Sequence, residues 1–277
     1  MLTASFRHIT GIGGLRERQL WAAGISRWEA LPAQGDLLSP RLDARLRLGV
    51  ADSVAHLEAG DVSHFARLFP HALHWRLLPH VLGGAAFLDI EVGAKADEVT
   101  VVGVLDGQGV RSFVRGRDLD ELPARAAGWS ALVTFNGLAF DEPILRRAFP
   151  GWEPPAVHID LRLAYARLRE KGGLKQLEAR LGFHRPPHLS RLSGADAVAL
   201  WHAEREGDPA ALRRLVEYNL YDAFILKPLA ELAYNRLSKR CGMPVPQLPV
   251  TERGALLYDV SCAVERACAP AGFDNFR

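Results

Sequence analysis

Cysteine is scarce in this chain. There are three in 277 residues, and Cys241, Cys262 and Cys268 all lie near the carboxyl end. Their odd number and irregular spacing form neither a disulfide framework nor a zinc pattern, which predicts a reducing compartment. Lysine is scarce too: of 34 basic residues, only Lys95, Lys171, Lys175, Lys227 and Lys239 are lysine. Arginine suits bidentate phosphate contacts, a bias that genome base composition also produces. Net charge is small, +2 at pH 7. That argues against a passive nucleic-acid-coating protein, but an enzyme gripping a few nucleotides in one cleft needs no basic exterior. No apolar run reaches the roughly 18 residues of a membrane span, and MLTASFRHITG lacks the apolar core of a signal peptide. The expectation is a cytoplasmic protein with no membrane partner. Neither a fixed repeat nor a low-complexity tract is visible.

With 48% hydrophobic and 24% charged residues, the chain has an ordinary globular composition. Its length suits one sizeable α/β domain with small appendages. Four regions are expected. Residues 1–45 form a small helical unit, and residues 46–83 a helical connector. Residues 84–238 alternate strand and helix, and residues 239–277 form a proline-rich tail with a short amphipathic segment at 251–268. In the first region, Gly11-Ile12-Gly13 precedes LRERQLWAAGI and SRWEAL. Ser26 with Glu29 three residues on is a capping-box signature, which predicts a second helix there.

In the third region AAFLDIEV, EVTVVGVLD and GVRSFVRG read as successive strands. DELPARAA reads as a helix, SALVTFN as a buried strand, Asn136-Gly137 as a turn and DEPILRRAF as a helix. AVHIDLRLAYARLRE is a strand running into a helix, and Gly182 stops the helix of GGLKQLEARLGF. Ser193 with Asp196 forms another capping box, and Asp208-Pro209 starts the last long helix. This order predicts a mixed sheet with helices on both sides.

The carboxylates carry the chemistry. Asp89 and Glu91 are two apart on a strand, so both face one way while Leu88, Ile90 and Val92 face the core. Side by side they repel, and burial raises their pKa values; a divalent cation reverses that penalty. Oxygen ligands suit Mg²⁺ or Mn²⁺ rather than zinc. Taken alone, the pair also fits a solvated strand end. Asp141 follows Phe140 at a strand–turn–helix junction, where an aspartate commonly caps the helix. Asn136 and Phe140 either touch substrate or make the turn and fill the core. Asp222 interrupts the helical stripe Leu215, Tyr218, Ile225 and Leu229, and an unpaired carboxylate there costs several kcal/mol, on the order of a buried polar group. Tyr218, one turn earlier, can reach it.

Together D-x-E on the first strand, N-x-x-x-F-D at a strand-to-helix turn and Y-x-x-x-D on a late helix resemble the DEDD exonucleases of the ribonuclease H-like superfamily, tyrosine subgroup. TFNGLAFD, HIDL, GGLKQLEARLG and YNLYDA resemble the YprB-like group within it, over residues 85–235. The resemblance implies an α/β ribonuclease H-like fold, with a mixed five-stranded sheet flanked by helices and a small N-terminal helical unit. It also implies two bound divalent cations, Mg²⁺ or Mn²⁺, about 4 Å apart as in two-metal sites. Asp89 would bridge them, Glu91 and Asp222 would complete one site, Asp141 would hold the second ion, and Tyr218 would orient the attacking water. The implied activity is 3′→5′ hydrolysis of single-stranded DNA or RNA.

The GIG turn and its neighbours similarly resemble a helix-hairpin-helix unit, in which the N–H groups of Gly11 and Gly13 would meet a phosphate and repair proteins would be partners. Its first helix must fit within residues 1–10, and glycine turns also arise for purely local reasons. Asp160 and His158 read as structural. Lys175 reads as a phosphate contact or a solvated helix position. His184, Arg185, His188 and Arg191 form a basic loop that either meets the substrate strand or is ordinary surface. A non-catalytic nucleic-acid adaptor and a structure-specific endonuclease stand as alternatives, the first disfavoured by the complete acid set.

Overall fold

The computed structural model describes residues 2–34, 37–95, 98–252 and 260–269. Five strands form its central sheet: β1 (Ala85–Val92), β2 (Val99–Asp106), β3 (Gly109–Val114), β4 (Ala131–Thr134) and β5 (Val157–Asp160). Their order is β3-β2-β1-β4-β5. β1–β2 and β2–β3 pair antiparallel, while β1–β4 and β4–β5 pair parallel. The mixed sheet expected from the element order is present. Four helices come before it: α1 (Gly14–Ala22), α2 (Pro40–Glu58), α3 (Val62–Leu68) and α4 (Leu78–Val81). The others are α5 (Leu122–Ala126), α6 (Asp141–Ala148), α7 (Leu161–Arg167), α8 (Leu174–Arg180), α9 (Pro187–Ser190), α10 (Gly194–Arg205), α11 (Pro209–Cys241) and α12 (Val260–Cys268). Among the described residues no helix is long and apolar enough to cross a membrane.

Local chemistry accounts for most of the boundaries. Asp106 Oδ1 accepts from the Gln108 N–H, folding the short β2–β3 connection. Parallel strands need crossovers, and α5 and α6 lie in the two that flank β4. Leu122, Ile144 and Leu145 from these helices pack on Ala86, Leu88, Ile90, Val102, Val104 and Leu132. The opposite face carries α11 and α7. The capping box Ser193–Asp196 opens α10, Asp208 caps α11 ahead of Pro209, and Gly242 ends α11 in the left-handed conformation.

The first region differs from expectation. Only a 3₁₀ turn, Leu2–Ala4, precedes Gly11, so no α-helix stands ahead of the glycine turn among the described residues. Ser26 makes no capping box. Trp28–Ala30 is a single 3₁₀ turn capped at Arg27 without a side-chain bond. The physical reason is Trp28, which is buried and donates its indole N–H to the Ser5 carbonyl. That anchor decides the local path. α2 runs through position 45, and α11 through position 238, so two of the three expected boundaries fall inside these helices. Leu2, Phe6, Leu20 and Trp28 share one continuous core with Phe87, Val133, Ile159 and Tyr234. Of the amphipathic segment expected at 251–268, positions 253–259 lie outside the described residues. Its remainder, α12, buries Val260, Ala263, Val264 and Ala267 against Leu212, Leu215 and Phe224.

Candidate active site

Alternation along β1 sends Asp89 and Glu91 to the α11 side of the sheet, with Leu88 and Ile90 on the other. Pairing of β1 with β4 stops at Phe87 and Val133. The two acids therefore sit where β1 runs past the carboxyl end of β4, the edge at which open α/β sheets bind ligands. α11 crosses this edge. Leu215 and Tyr218 belong to one apolar cluster, Ile225 and Leu229 to another, and Asp222 falls at the break between them. One carboxylate oxygen each from Asp89, Glu91 and Asp222 lies within 4.8 Å of the others. Glu91 and Asp222 are buried, and Asp89 is partly buried.

Asp141 joins from the other side. The cap position of α6 is Phe140, and Asp141 is the first helical residue, so the expected capping role does not hold. Its carboxylate instead accepts from its own backbone N–H and from that of Ile90, between the two β1 acids. Asp141 lies outside the tight trio, yet its charge acts on both Asp89 and Glu91.

Burial comes first among the causes that push these acids upward. Asp89 is held well above the usual carboxylate range by desolvation, then by Asp222, Glu91 and Asp141. Glu91 is raised by desolvation, then by Asp222 and Asp141. Desolvation raises Asp222 too, against the pull of Arg185. Asp141 is raised to about 7, mainly by desolvation. Clustered buried acids with raised pKa values mark a functional cleft or a cation site.

Several residues complete the site that the sequence alone did not bring to it. Asn219, fully buried, donates from Nδ2 to Asp89 Oδ2 at 2.9 Å and to the Asp89 carbonyl at 3.1 Å. Gly103, paired with Asp89 across the ladder, makes room for it: a Cβ there would stand 2.6 Å from Asn219 Oδ1. Arg185 corrects the reading of its loop. Its side chain is 5% exposed and ion-paired to both Glu178 and Asp222, and it lies over the rings of Tyr218 and Tyr221. His184, His188 and Arg191 remain exposed. Lys175 is neither free nor simply solvated: its Nζ lies 4.6 Å from the Tyr218 ring centroid. Asn219 had a signal, standing between Tyr218 and Asp222 on a buried helix. Arg185 was legible only as one of four residues of a basic loop, and nothing local pointed it at Asp222.

The other expected site residues separate. Asn136 holds a left-handed conformation (φ 71). Its side chain accepts from Arg162. Asp160 anchors this turn, accepting from the N–H groups of Asn136, Leu138 and Arg162, a structural role as expected. His158 is buried between Thr134 and Glu142. Phe140 is 41% exposed, so it does not fill the core. Gly11 and Gly13 are not drawn into the acid cluster. Gly11 (φ 93) packs under Leu42, and Gly13 caps α1 with open space around it.

The family model of the RNase H superfamily matches residues 86–234, more than half of the chain. The chain belongs to the RNase H superfamily. The matched stretch begins in β1 and ends within α11, so it contains Asp89, Glu91, Asp141, Tyr218 and Asp222, while α1–α4 and α12 lie outside it. Membership in this superfamily points to a nucleic-acid hydrolase. RNase H-like nucleases use divalent metal ions, and an all-oxygen cluster of raised-pKa acids is the donor set such hard cations take. Neither a curated protein nor a solved structure matches the chain.

Proposed function

We propose that this chain is a metal-dependent 3′→5′ exonuclease that hydrolyses phosphodiester bonds of single-stranded DNA or RNA. The observation that carries the reading is the trio of Asp89, Glu91 and Asp222 oxygens within 4.8 Å, buried enough that their charges need a cation. Arg185 and Lys175 are the basic groups acting on these acids, and they are too few to balance them. Asp89, Glu91 and Asp222 would hold one Mg²⁺ or Mn²⁺, with Asp141 and Asp89 toward a second. Two such ions supply charge stabilisation for the attacking and leaving oxygens of an in-line displacement.

The chain's own groups do the rest. Asn219 fixes the Asp89 carboxylate in one orientation. Tyr218, whose phenol is held above its ordinary range by burial and then by Asp222, stays protonated and can donate a hydrogen bond that orients a water. The exposed Phe140 ring beside Asp141 offers a stacking surface for a terminal base, with Asn136 next to it. Gly11 and Gly13 offer backbone N–H groups to a phosphate farther along the strand.

One observation favours the non-catalytic adaptor instead. Arg185 already neutralises Asp222 without a metal. A 5′-labelled single-stranded DNA or RNA oligonucleotide with Mn²⁺ or Mg²⁺ separates the readings. A ladder shortening from the 3′ end, releasing mononucleotides and lost in Asp89→Ala, is the expected result. Binding without cleavage selects the adaptor, and internal fragments select a structure-specific endonuclease.

A further inference from the structure

The amino-terminal unit contains a second cluster of metal-ligand type, made from different donors. Asp52 and His56 stand one turn apart on α2, so they share a face. His64, in the first turn of α3, comes back against them after the tight turn at Gly60 (φ 70). The imidazoles of His56 and His64 lie parallel, with centroids 3.6 Å apart and planes 11° apart. Each presents its Nε2 to a different oxygen of Asp52. His64 Nε2 is 3.2 Å from Oδ2, and His56 Nε2 is 3.8 Å from Oδ1. One ligand atom from each of the three residues lies within 4.8 Å of the others.

Two further observations point to a bound cation. His56 Nδ1 lies 3.0 Å from Asp61 Oδ2. The other oxygen of Asp61, Oδ1, accepts from the His64 backbone N–H at 3.0 Å, which fixes the carboxylate as an acceptor facing His56. A proton on Nδ1 leaves the Nε2 lone pair aimed at Asp52, the carboxylate–histidine–metal arrangement of many metal sites. The Nε2 of His64 is buried and makes no hydrogen bond, although Asp52 lies beside it. One imidazole nitrogen from each histidine and a carboxylate oxygen thus stand within metal-ligand spacing of one another.

We infer that Asp52, His56 and His64 bind a borderline divalent transition ion of the Zn²⁺ class, with Asp61 positioning His56. Imidazole donors select such ions over Mg²⁺, the reverse of the all-oxygen cluster on β1 and α11. Three protein ligands leave one tetrahedral position open to solvent on the Asp52 side, where that side chain is 58% exposed. The ion would tie α2 to α3.

The test is equilibrium dialysis of the tag-free full chain against Zn²⁺ after metal stripping, with millimolar Mg²⁺ present to occupy the oxygen cluster. One tight equivalent is expected. It is retained in Asp89→Ala, lost in His56→Ala and His64→Ala, and about 10- to 100-fold weaker in Asp61→Asn. Co²⁺ in its place should show visible d–d bands without thiolate charge-transfer absorption, which excludes the cysteines. In the wild-type chain, where folding is not in question, Zn²⁺ but not Mg²⁺ should shield His56 and His64 from diethylpyrocarbonate. The inference is overturned if no equivalent binds under these conditions. Thiolate bands, or histidine modification indifferent to Zn²⁺, overturn it equally.

Discussion

At Asp89, desolvation and three neighbouring carboxylates act in the same direction, opposed by Arg185 and by the Asn219 hydrogen bond. Removing the charge should therefore cost the metal-free fold nothing. Asp89→Asn keeps a carbonyl oxygen for the Asn219 amide and removes the repulsion. We expect its melting temperature in EDTA to equal or exceed that of the wild type, and the Mg²⁺-dependent rise of the wild type to vanish. Differential scanning fluorimetry with and without Mg²⁺ reads both. A variant that still gains full stability from Mg²⁺ would remove Asp89 from the cation site.

The decisive element is α11, which seats Asn219 directly over β2 because β2 carries a glycine there. Gly103→Ala would place a methyl 2.6 Å from Asn219 Oδ1 and 3.1 Å from the Asn219 carbonyl. The backbone atom cannot rotate away, so the helix must shift. Overpacking of this kind costs about 1–3 kcal/mol, measurable by urea unfolding. Nuclease activity should fall by more than stability predicts, because Asn219 loses its grip on Asp89. A Gly103→Ala protein with wild-type activity would show that this close approach is not needed. The helix itself was legible in advance, since the apolar stripe, the Asp208-Pro209 start and Asp222 within it are local patterns. Ser26 shows the limit: its capping signature was overridden when Trp28 was drawn into a core built from distant residues.

Across the whole molecule, two electrostatic features bind the parts. Glu17 of α1 and Arg76 form an ion pair at 2.9 Å with side chains 2% and 1% exposed, and Ser5 bonds to both. Glu17→Ala leaves the guanidinium buried and uncompensated, so we expect a loss of about 3–5 kcal/mol in denaturant unfolding, with most of it recovered in Glu17→Leu/Arg76→Met. Equal losses in both variants would contradict the assignment. The acid cluster sets the pH response. Asp141, raised from 3.8 to about 7, holds its proton in the folded chain while the unfolded chain has lost it, and Asp89, Glu91 and Asp222 shift in the same direction. The Asp141 contribution to metal-free stability is complete below about pH 4 and is lost as pH rises through about 7, and the other three acids act in the same direction. Glu142 acts oppositely: lowered to about 2, first by its His158 hydrogen bond, it stabilises above about 4.5 and fails as pH falls toward 2. Because a cation must displace the protons of the cluster, the gain in melting temperature from Mg²⁺ should grow from about pH 5 to about pH 8. A gain independent of pH would show that the acids are already ionised.

The sequence by itself determined which residues face which way. Period-two alternation put Asp89 and Glu91 on one side of β1, helical spacing put Tyr218 and Asp222 on one side of α11, and the turn chemistry of Asn136-Gly137 led into Asp141. These are local consequences of backbone geometry, and they reappear unchanged in the structure. Tertiary structure alone decided what meets those side chains. It brought Asn219 onto Asp89 through the gap at Gly103, and Arg185 from a loop onto Asp222. It also folded His64 back onto Asp52 and His56, and ran one core from Leu2 to Tyr234. Periodicity encodes the direction in which a side chain points; the distant partner it finds there depends on how whole elements pack.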